Sequence, residues 1–141
     1  MPDFKLFTLA EAERTLPLVR RIVQDLTAEY PAWREAVGRF EILTGGARAD
    51  WGETLELVAA REVVTAHAER INRYLQELEA IGVVFKGFEA GLVDFYSLRE
   101  DRPIFLCWRL GEPRITHWHE IDSGFSGRHP IDAAILSAVP S

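Results

Sequence analysis

The chain is poor in several residue types, and each shortage limits what the protein can be. Its 141 residues include a single cysteine, Cys107, so an intramolecular disulfide and a cysteine-rich zinc site are both excluded. No apolar run approaches the roughly 20 residues that a membrane helix needs. The first residues also lack the pattern of a secretory signal. We therefore expect a cytoplasmic protein in a reduced compartment, without a membrane partner.

An excess of basic charge is also missing. The formal net charge is −6, with 10 basic and 14 acidic side chains over residues 1–81 and 6 and 8 over residues 82–141. A mildly acidic surface repels a phosphate backbone, so we expect no nucleic-acid partner. The glycines do not form a phosphate-binding loop, because no lysine follows Gly45 and Gly46.

The remaining composition is that of an ordinary globular protein. Hydrophobic residues make up 48% of the chain and charged residues 27%, which are average values for folded domains. The length suits one domain with a single core. We expect that domain to span residues 1–141, with a helical hairpin over 8–81, a β-meander and ordered loop over 82–131, and a short tail over 132–141.

The first half of the chain carries helical signals. Thr8 and Glu11 fit a capping box, which marks a helix start. Apolar residues then recur at intervals of seven up to Phe40, as in a helix with one buried face. Pro17 predicts that a short helical segment gives way to a second helix near Thr15, whereas Pro31 predicts a kink in a continuing helix.

A loop and a second helix follow. Residues 44–52 have the glycines and polar residues of a turn, and a second apolar heptad pattern then ends at Gly82. Two such helices are expected to form an antiparallel hairpin. Apolar residues beside the two seams, including Trp33, Tyr74 and Ile81, need a cover, either the C-terminal half or a second copy of the chain. His67 is interpreted as a packed helix residue.

After Gly82 the apolar period changes from helical to alternating, which is typical of β-strands. The predicted fold class is α+β: a long antiparallel helical hairpin packed against a small antiparallel β-sheet of three to four strands. The strands are placed at about 83–87, 92–98, 104–110 and 115–121.

The turn over residues 111–114 predicts the register of the last two strands. If Leu110 pairs with Ile115, then Trp108 lies opposite His117 and Leu106 opposite His119. Cys107 then lies opposite Trp118, on the reverse face. A shift of one residue would change every one of these pairs.

Several strings in the chain resemble a known family. They are LCWRLGE, the Trp118-His119 pair, GFSGR, GLVDF and FTLAEAERTLP. Together they are similar to the bacterial family known as domain of unknown function 2203. The resemblance covers most of the chain and implies a family but no activity. His117 departs from the family pattern, in which an aromatic residue is common, whereas His119 matches it.

Three interpretations of function stay open at this point. The first is a site for a divalent metal formed by His117 and His119, two residues apart on one strand face, with a carboxylate from Asp94 or Glu112. The alternative is that both histidines pack on the helical hairpin. Cys107 is interpreted as a buried, inert thiol, because no helix N-terminus is predicted beside it.

The second interpretation is a pocket for a small molecule around His119. A catalytic variant would use His119 as a general acid or base, oriented by Glu112 or Asp94. The competing structural explanation is an ion pair between Asp94 and Arg128 that closes the C-terminal loop. The candidate ligand-binding residues are Asp94, Arg109, Glu112, Trp118, His119 and Arg128.

The third interpretation is a structural interaction module. Apolar rows left open on the hairpin would be covered by a second copy of the chain related by a two-fold axis. We therefore expect a homodimer. The overall expectation from the sequence is a protein of unknown function that binds a small ligand or a partner.

Overall fold

The computed structural model describes residues 5–46 and 54–136. The architecture is α+β, with two long helices packed together against a five-stranded antiparallel sheet. The helices are α1 (Leu9–Gly46), α2 (Leu55–Ile81) and α3 (Ala133–Leu136), and the strands are β1 (Val84–Gly87), β2 (Leu92–Arg99), β3 (Arg102–Arg109), β4 (His117–Glu120) and β5 (His129–Pro130).

Helix α1 begins at the predicted capping box. The Thr8 amide donates to Glu11 Oε1 at 2.9 Å, and the Glu11 amide donates to Thr8 Oγ1 at 3.1 Å. The hydrogen bond from the Thr8 backbone lowers the pKa of the Glu11 carboxyl. The reciprocal pair satisfies two amides that a helix start otherwise leaves unpaired.

Both prolines lie inside α1, and the helix continues through them. The predicted break near Thr15 is therefore wrong. Proline costs one backbone hydrogen bond at that position, but Leu16 and Val19 on either side are buried in the core. Their burial offsets the loss, since each fully buried aliphatic side chain contributes about 1.5–3 kcal/mol.

The hairpin connection was predicted over residues 44–52. Helix α1 extends to Gly46, so the first part of that span is helical, and residues 47–53 lie outside the described residues. Helix α2 is capped by Thr54, whose Oγ1 accepts from the Leu57 amide at 3.1 Å. It ends at Gly82, as predicted, with φ of 100° in the left-handed region that glycine adopts readily.

The sheet is a meander in which each strand pairs with its chain neighbour. It has five strands and not three to four, because the two residues of β5 pair with β4 beyond the ordered loop. A strand this short carries no alternation that a sequence pattern could reveal. None of the helices in the described part of the chain combines the length and apolarity that crossing a membrane requires.

One face of the sheet packs on the helices, and the other carries the candidate site. The helix-facing residues form one buried cluster with the first half of α1 and the second half of α2. The sheet residues in this cluster include Val93, Phe95, Ile104, Leu106, Trp108 and Trp118. Because side chains alternate along a strand, their neighbours Asp94, Cys107 and His119 point to the outer face.

The predicted register of β3 and β4 is wrong by one residue. Leu106 lies opposite Trp118, and Phe105 lies opposite His119. The cause is that Ile115 leaves the sheet: its side chain is 3% exposed, and its amide donates to Glu13 Oε1 on α1 at 3.0 Å. The connection is therefore longer than a tight turn, and both histidines face away from the helices.

The far half of the hairpin is less well covered than the half beside the sheet. The core cluster ends at Leu26 on α1 and begins at Ile71 on α2. Trp33, Tyr74 and Ile81 are partly buried and pack against this cluster. Residues of the same chain therefore cover them. Farther along the described hairpin the buried residues are Ala36, Leu57 and Ala60.

Candidate functional site

The outer face of the sheet contains a buried histidine and carboxylate pair. His119 on β4 and Asp94 on β2 are each 3% exposed, and His119 Nε2 lies 3.0 Å from Asp94 Oδ1. The two strands flank β3, so the side chains meet above the central strand. Buried charged and imidazole groups are uncommon unless they are paired or coordinate a cation.

The tautomer of His119 follows from its second hydrogen bond. Nδ1 lies 2.7 Å from the backbone carbonyl oxygen of Glu120. A carbonyl only accepts, so Nδ1 carries a proton and donates. Nε2 is then the ring atom that faces Asp94, and either a proton or a cation must lie between it and the carboxylate oxygen. A backbone carbonyl that fixes the ring in this way is typical of metal-ligating histidines.

Cys107 completes a cluster of three different donor types. Its Sγ, a ring nitrogen of His119 and a carboxylate oxygen of Asp94 all lie within 4.8 Å of one another. Cys107 is buried, as predicted. Burial, and next the Asp94 carboxylate, raise the pKa of the Cys107 thiol to about 12. Both effects oppose a free thiolate, so the thiol is inert unless a cation stabilises its negative charge.

A pocket of about 230 Å³ lies directly over this cluster. Lys86 on β1 stands at its side, with Nζ 3.7 Å from Asp94 Oδ2 and 4.8 Å from the centre of the Phe105 ring. The side chain of Lys86 is 42% exposed, against 4% for that of Asp94. The pocket is lined by Lys86, Leu92, Asp94, Cys107, His119, Ser123, Gly124 and Phe125.

The loop after β4 forms the opposite wall. Residues Phe125–Gly127 make one 3₁₀ turn, and the ring of Phe125 lies 5.5 Å from the Arg109 guanidinium and 4.5 Å from that of Arg128. Arg128 Nη2 donates to both carboxylate oxygens of Glu112 at 2.8 and 2.9 Å. Glu112 Oε1 also accepts from the Arg109 amide at 2.7 Å. These contacts tie the loop to the end of β3.

The six residues predicted for a ligand site are divided by the structure among three places. Asp94 and His119 form the buried pair. Arg109, Glu112 and Arg128 hold the loop, so Arg128 pairs with Glu112 and not with Asp94. Trp118 lies on the helix-facing side of the sheet, in the core.

The two histidines of the predicted metal pair have different surroundings. His117 lies opposite Cys107 in the sheet but is partly exposed, and its Nδ1 lies 2.8 Å from Thr116 Oγ1. It is not among the three donors of the buried cluster. Sequence reasoning missed Cys107 and Lys86 as members of the site. The alternation that places Cys107, His117 and His119 on one face would have revealed Cys107, had the register been predicted correctly.

The comparisons with known proteins agree with the resemblance carried by the sequence strings. A family model described as "Uncharacterized conserved protein (DUF2203)" matches residues 5–131. No curated protein matches the chain, and no solved structure matches it. The family match includes both hairpin helices, all five strands and every residue that lines the pocket. The chain therefore belongs to the DUF2203 family of uncharacterized conserved proteins.

Proposed function

We propose that this protein binds a divalent transition metal through Asp94, Cys107 and His119, and that the metal is zinc. The observation that carries the proposal is the convergence of three donor types within 4.8 Å of one another, all buried. Thiolate sulfur, imidazole nitrogen and carboxylate oxygen together suit zinc, whereas magnesium and calcium take oxygen ligands. Metal binding would add to the charge balance of this buried cluster, in which Asp94 is otherwise paired with His119 and the partly exposed Lys86.

The site would leave the metal one open position. Three protein ligands and a free fourth position characterise zinc sites that act on or bind a small molecule. All three candidate ligands line the same pocket, so the fourth position would face it. We therefore propose that the protein binds a small ligand at this metal. A thiolate ligand requires reduced cysteine, so we also propose a cytoplasmic location, where thiols are kept reduced.

The raised pKa of the Cys107 thiol is compatible with metal binding. The Asp94 carboxylate contributes to raising that pKa, but as a second ligand to the same cation it would stop repelling the thiolate. A divalent ion deprotonates a coordinating thiol directly, and binding then releases a proton. The thiol would therefore be inert in the metal-free protein and a ligand in the loaded one.

The test measures zinc in the full chain, purified without an affinity tag and reconstituted with one equivalent of the metal. We expect one tightly bound zinc per chain by elemental analysis. His119→Ala should bind at least 100-fold more weakly, because it removes one of three protein ligands; losing even a residue that only orients a ligand costs about 10–100-fold. His117→Ala is the matched control on the same strand and should retain full binding.

A second measurement separates loss of the site from loss of the fold. With cobalt in place of zinc, the native protein should show the near-ultraviolet band of a thiolate bound to cobalt. Cys107→Ser should lose that band while its far-ultraviolet circular dichroism stays native. Substoichiometric zinc in the reconstituted native protein, or equal zinc loss in His117→Ala and His119→Ala, would contradict the proposal.

A second function, self-association, is favoured by an open groove along the far half of the hairpin. The groove has a volume of about 640 Å³ and is lined mainly by small and aliphatic side chains of α1 together with Val63 and His67 of α2. Ile42 is 78% exposed and Val63 49% exposed at its edge. Two hairpins that pack their open faces together form a four-helix bundle.

Charge supports a second copy as the occupant. Glu35 and Arg39 line the groove one helical turn apart, so an antiparallel copy related by a two-fold axis would place Glu35 beside Arg39 of the second copy. Arg39 is largely exposed and lies 3.7 Å from Glu56 on α2. The surface thus carries both charges that a self-complementary interface needs. We propose a homodimer formed through this groove.

Sedimentation analysis tests the dimer. The native protein should sediment as a dimer at micromolar concentration, and Ile42→Glu should sediment as a monomer, because it places a charge in the apolar contact. Leu18→Glu is the control, since Leu18 is 55% exposed on α1 outside the groove. A monomeric native protein, or a dimer that survives Ile42→Glu, would exclude this interface.

A further inference from the structure

The pocket over the buried cluster has a positively charged side chain in its lining. Apart from the three proposed metal ligands, its charged lining group is Lys86. The Lys86 ammonium lies 3.7 Å from Asp94 Oδ2. If Asp94 coordinates a metal, its charge is shared with that metal, and Lys86 then faces the pocket without a full anionic counterpart.

The rest of the lining is partly apolar. Leu92 and Phe125 form apolar walls, and Ser123 adds a hydroxyl. An inorganic anion such as phosphate is usually held by arginines together with several backbone amides, and the residues that line this pocket include no arginine. An organic anion with a short apolar tail matches one cation, one metal position and two apolar side chains more closely.

The size of the pocket limits the ligand further. A volume of about 230 Å³ corresponds to roughly seven or eight waters, at about 30 Å³ for each. A ligand that fills it therefore has on the order of eight non-hydrogen atoms. This matches a carboxylic acid of short chain, whereas a nucleotide or a larger cofactor would extend out of the pocket.

We propose that the pocket binds a small organic carboxylate, with its oxygen at the open metal position, its charge near Lys86 and its tail between Leu92 and Phe125. This inference rests on the proposed metal site. A metal ion and an ammonium on one side of a pocket both attract negative charge, and their combined effect is strongest where water is excluded. The carboxylate is therefore attracted by two cations. A neutral ligand of the same shape lacks this attraction between opposite charges.

The experiment uses the full chain loaded with cobalt, whose visible spectrum reports a change of ligand at the metal. Titration with butyrate should change this spectrum and saturate, while butanol of the same chain length should leave it unchanged. Lys86→Met should weaken butyrate binding at least tenfold at full cobalt loading. The chain has one other lysine, Lys5, and Lys5→Met should bind butyrate like the native protein.

The outcomes distinguish the two proposals. Failure to bind cobalt overturns both, since the carboxylate is placed on the metal. If cobalt binds normally but the spectrum does not respond to butyrate, or responds equally to butanol, the metal site stands. The proposal that the pocket binds a carboxylate is then overturned. Phosphate binding more tightly than butyrate overturns the assignment to an organic anion. An undiminished affinity for butyrate in Lys86→Met overturns the role of the lysine.

Discussion

Replacing Trp108 with alanine is expected to lower the free energy of unfolding by about 3–5 kcal/mol. Trp108 stands on the central strand β3 with 0% of its surface exposed, inside the cluster that joins the sheet to α1 and α2. Its Nε1 also donates to the Glu112 carbonyl oxygen at 2.9 Å, and the Arg20 guanidinium lies 5.9 Å from the ring. Alanine would leave a large cavity and one unpaired carbonyl.

Urea denaturation followed by circular dichroism measures this loss. Trp108→Phe is the matched variant, because it keeps an aromatic ring in the core but removes the donor to Glu112. It should cost about 1–3 kcal/mol, from the lost hydrogen bond and the smaller volume of the ring together. Total stabilities are about 5–15 kcal/mol, so the loss in the alanine variant should be a substantial fraction of the stability of the chain. A loss below 1 kcal/mol in Trp108→Ala would mean that the residue does not lie in the core.

The two sheet faces show what sequence pattern can and cannot predict. Alternation correctly separates Trp118 from His119, because that rule depends only on the geometry of one strand. The register between β3 and β4 depends on the length of their connection, and Ile115 changes that length by packing among the helices. No local signal distinguishes an isoleucine at a strand start from one buried against another element.

The helices are predictable to different degrees for a similar reason. The start at Thr8 and the end at Gly82 follow from capping chemistry that acts within a few residues, and both are confirmed. The break predicted near Thr15 is wrong, because burial of Leu16 and Val19 in tertiary packing outweighs the local cost of Pro17. Local rules are reliable here where no distant element competes with them.

The candidate site could be predicted in part. Asp94 and His119 are both expected in one site from the sequence, and the structure places them 3.0 Å apart. The sequence context of Cys107 favours a buried, inert thiol, and its burial and raised pKa agree with that interpretation. Its membership in a three-donor cluster arises instead from the alignment of three strands, which only the correct register provides.

Gly91 is the second position at which one substitution should have a large effect. It precedes β2 with φ of +64°, in the left-handed region that costs other residues about 1–2 kcal/mol. A Cβ added there would lie 2.8 Å from Leu110 Cβ and 2.9 Å from Val23 Cγ1. Leu110 cannot easily withdraw, because its amide donates to the Gly91 carbonyl at 3.1 Å. Glycine therefore permits the end of β3 and helix α1 to approach each other closely at this position.

We expect Gly91→Ala to lower the free energy of unfolding by about 2–5 kcal/mol, the sum of backbone strain and overpacking. Gly111→Ala provides the matched control, since Gly111 has φ of +105° but no atom within 4 Å of the position that an added Cβ would occupy. The control introduces strain without crowding, and its φ lies farther than that of Gly91 from the left-handed minimum at about +57°, so its strain is at least as large. A greater loss in Gly91→Ala, measured by urea denaturation of both variants, therefore reports close packing. The crowding argument requires Gly91→Ala to be the less stable of the two. A Gly91→Ala variant that is as stable as Gly111→Ala would contradict the proposed crowding.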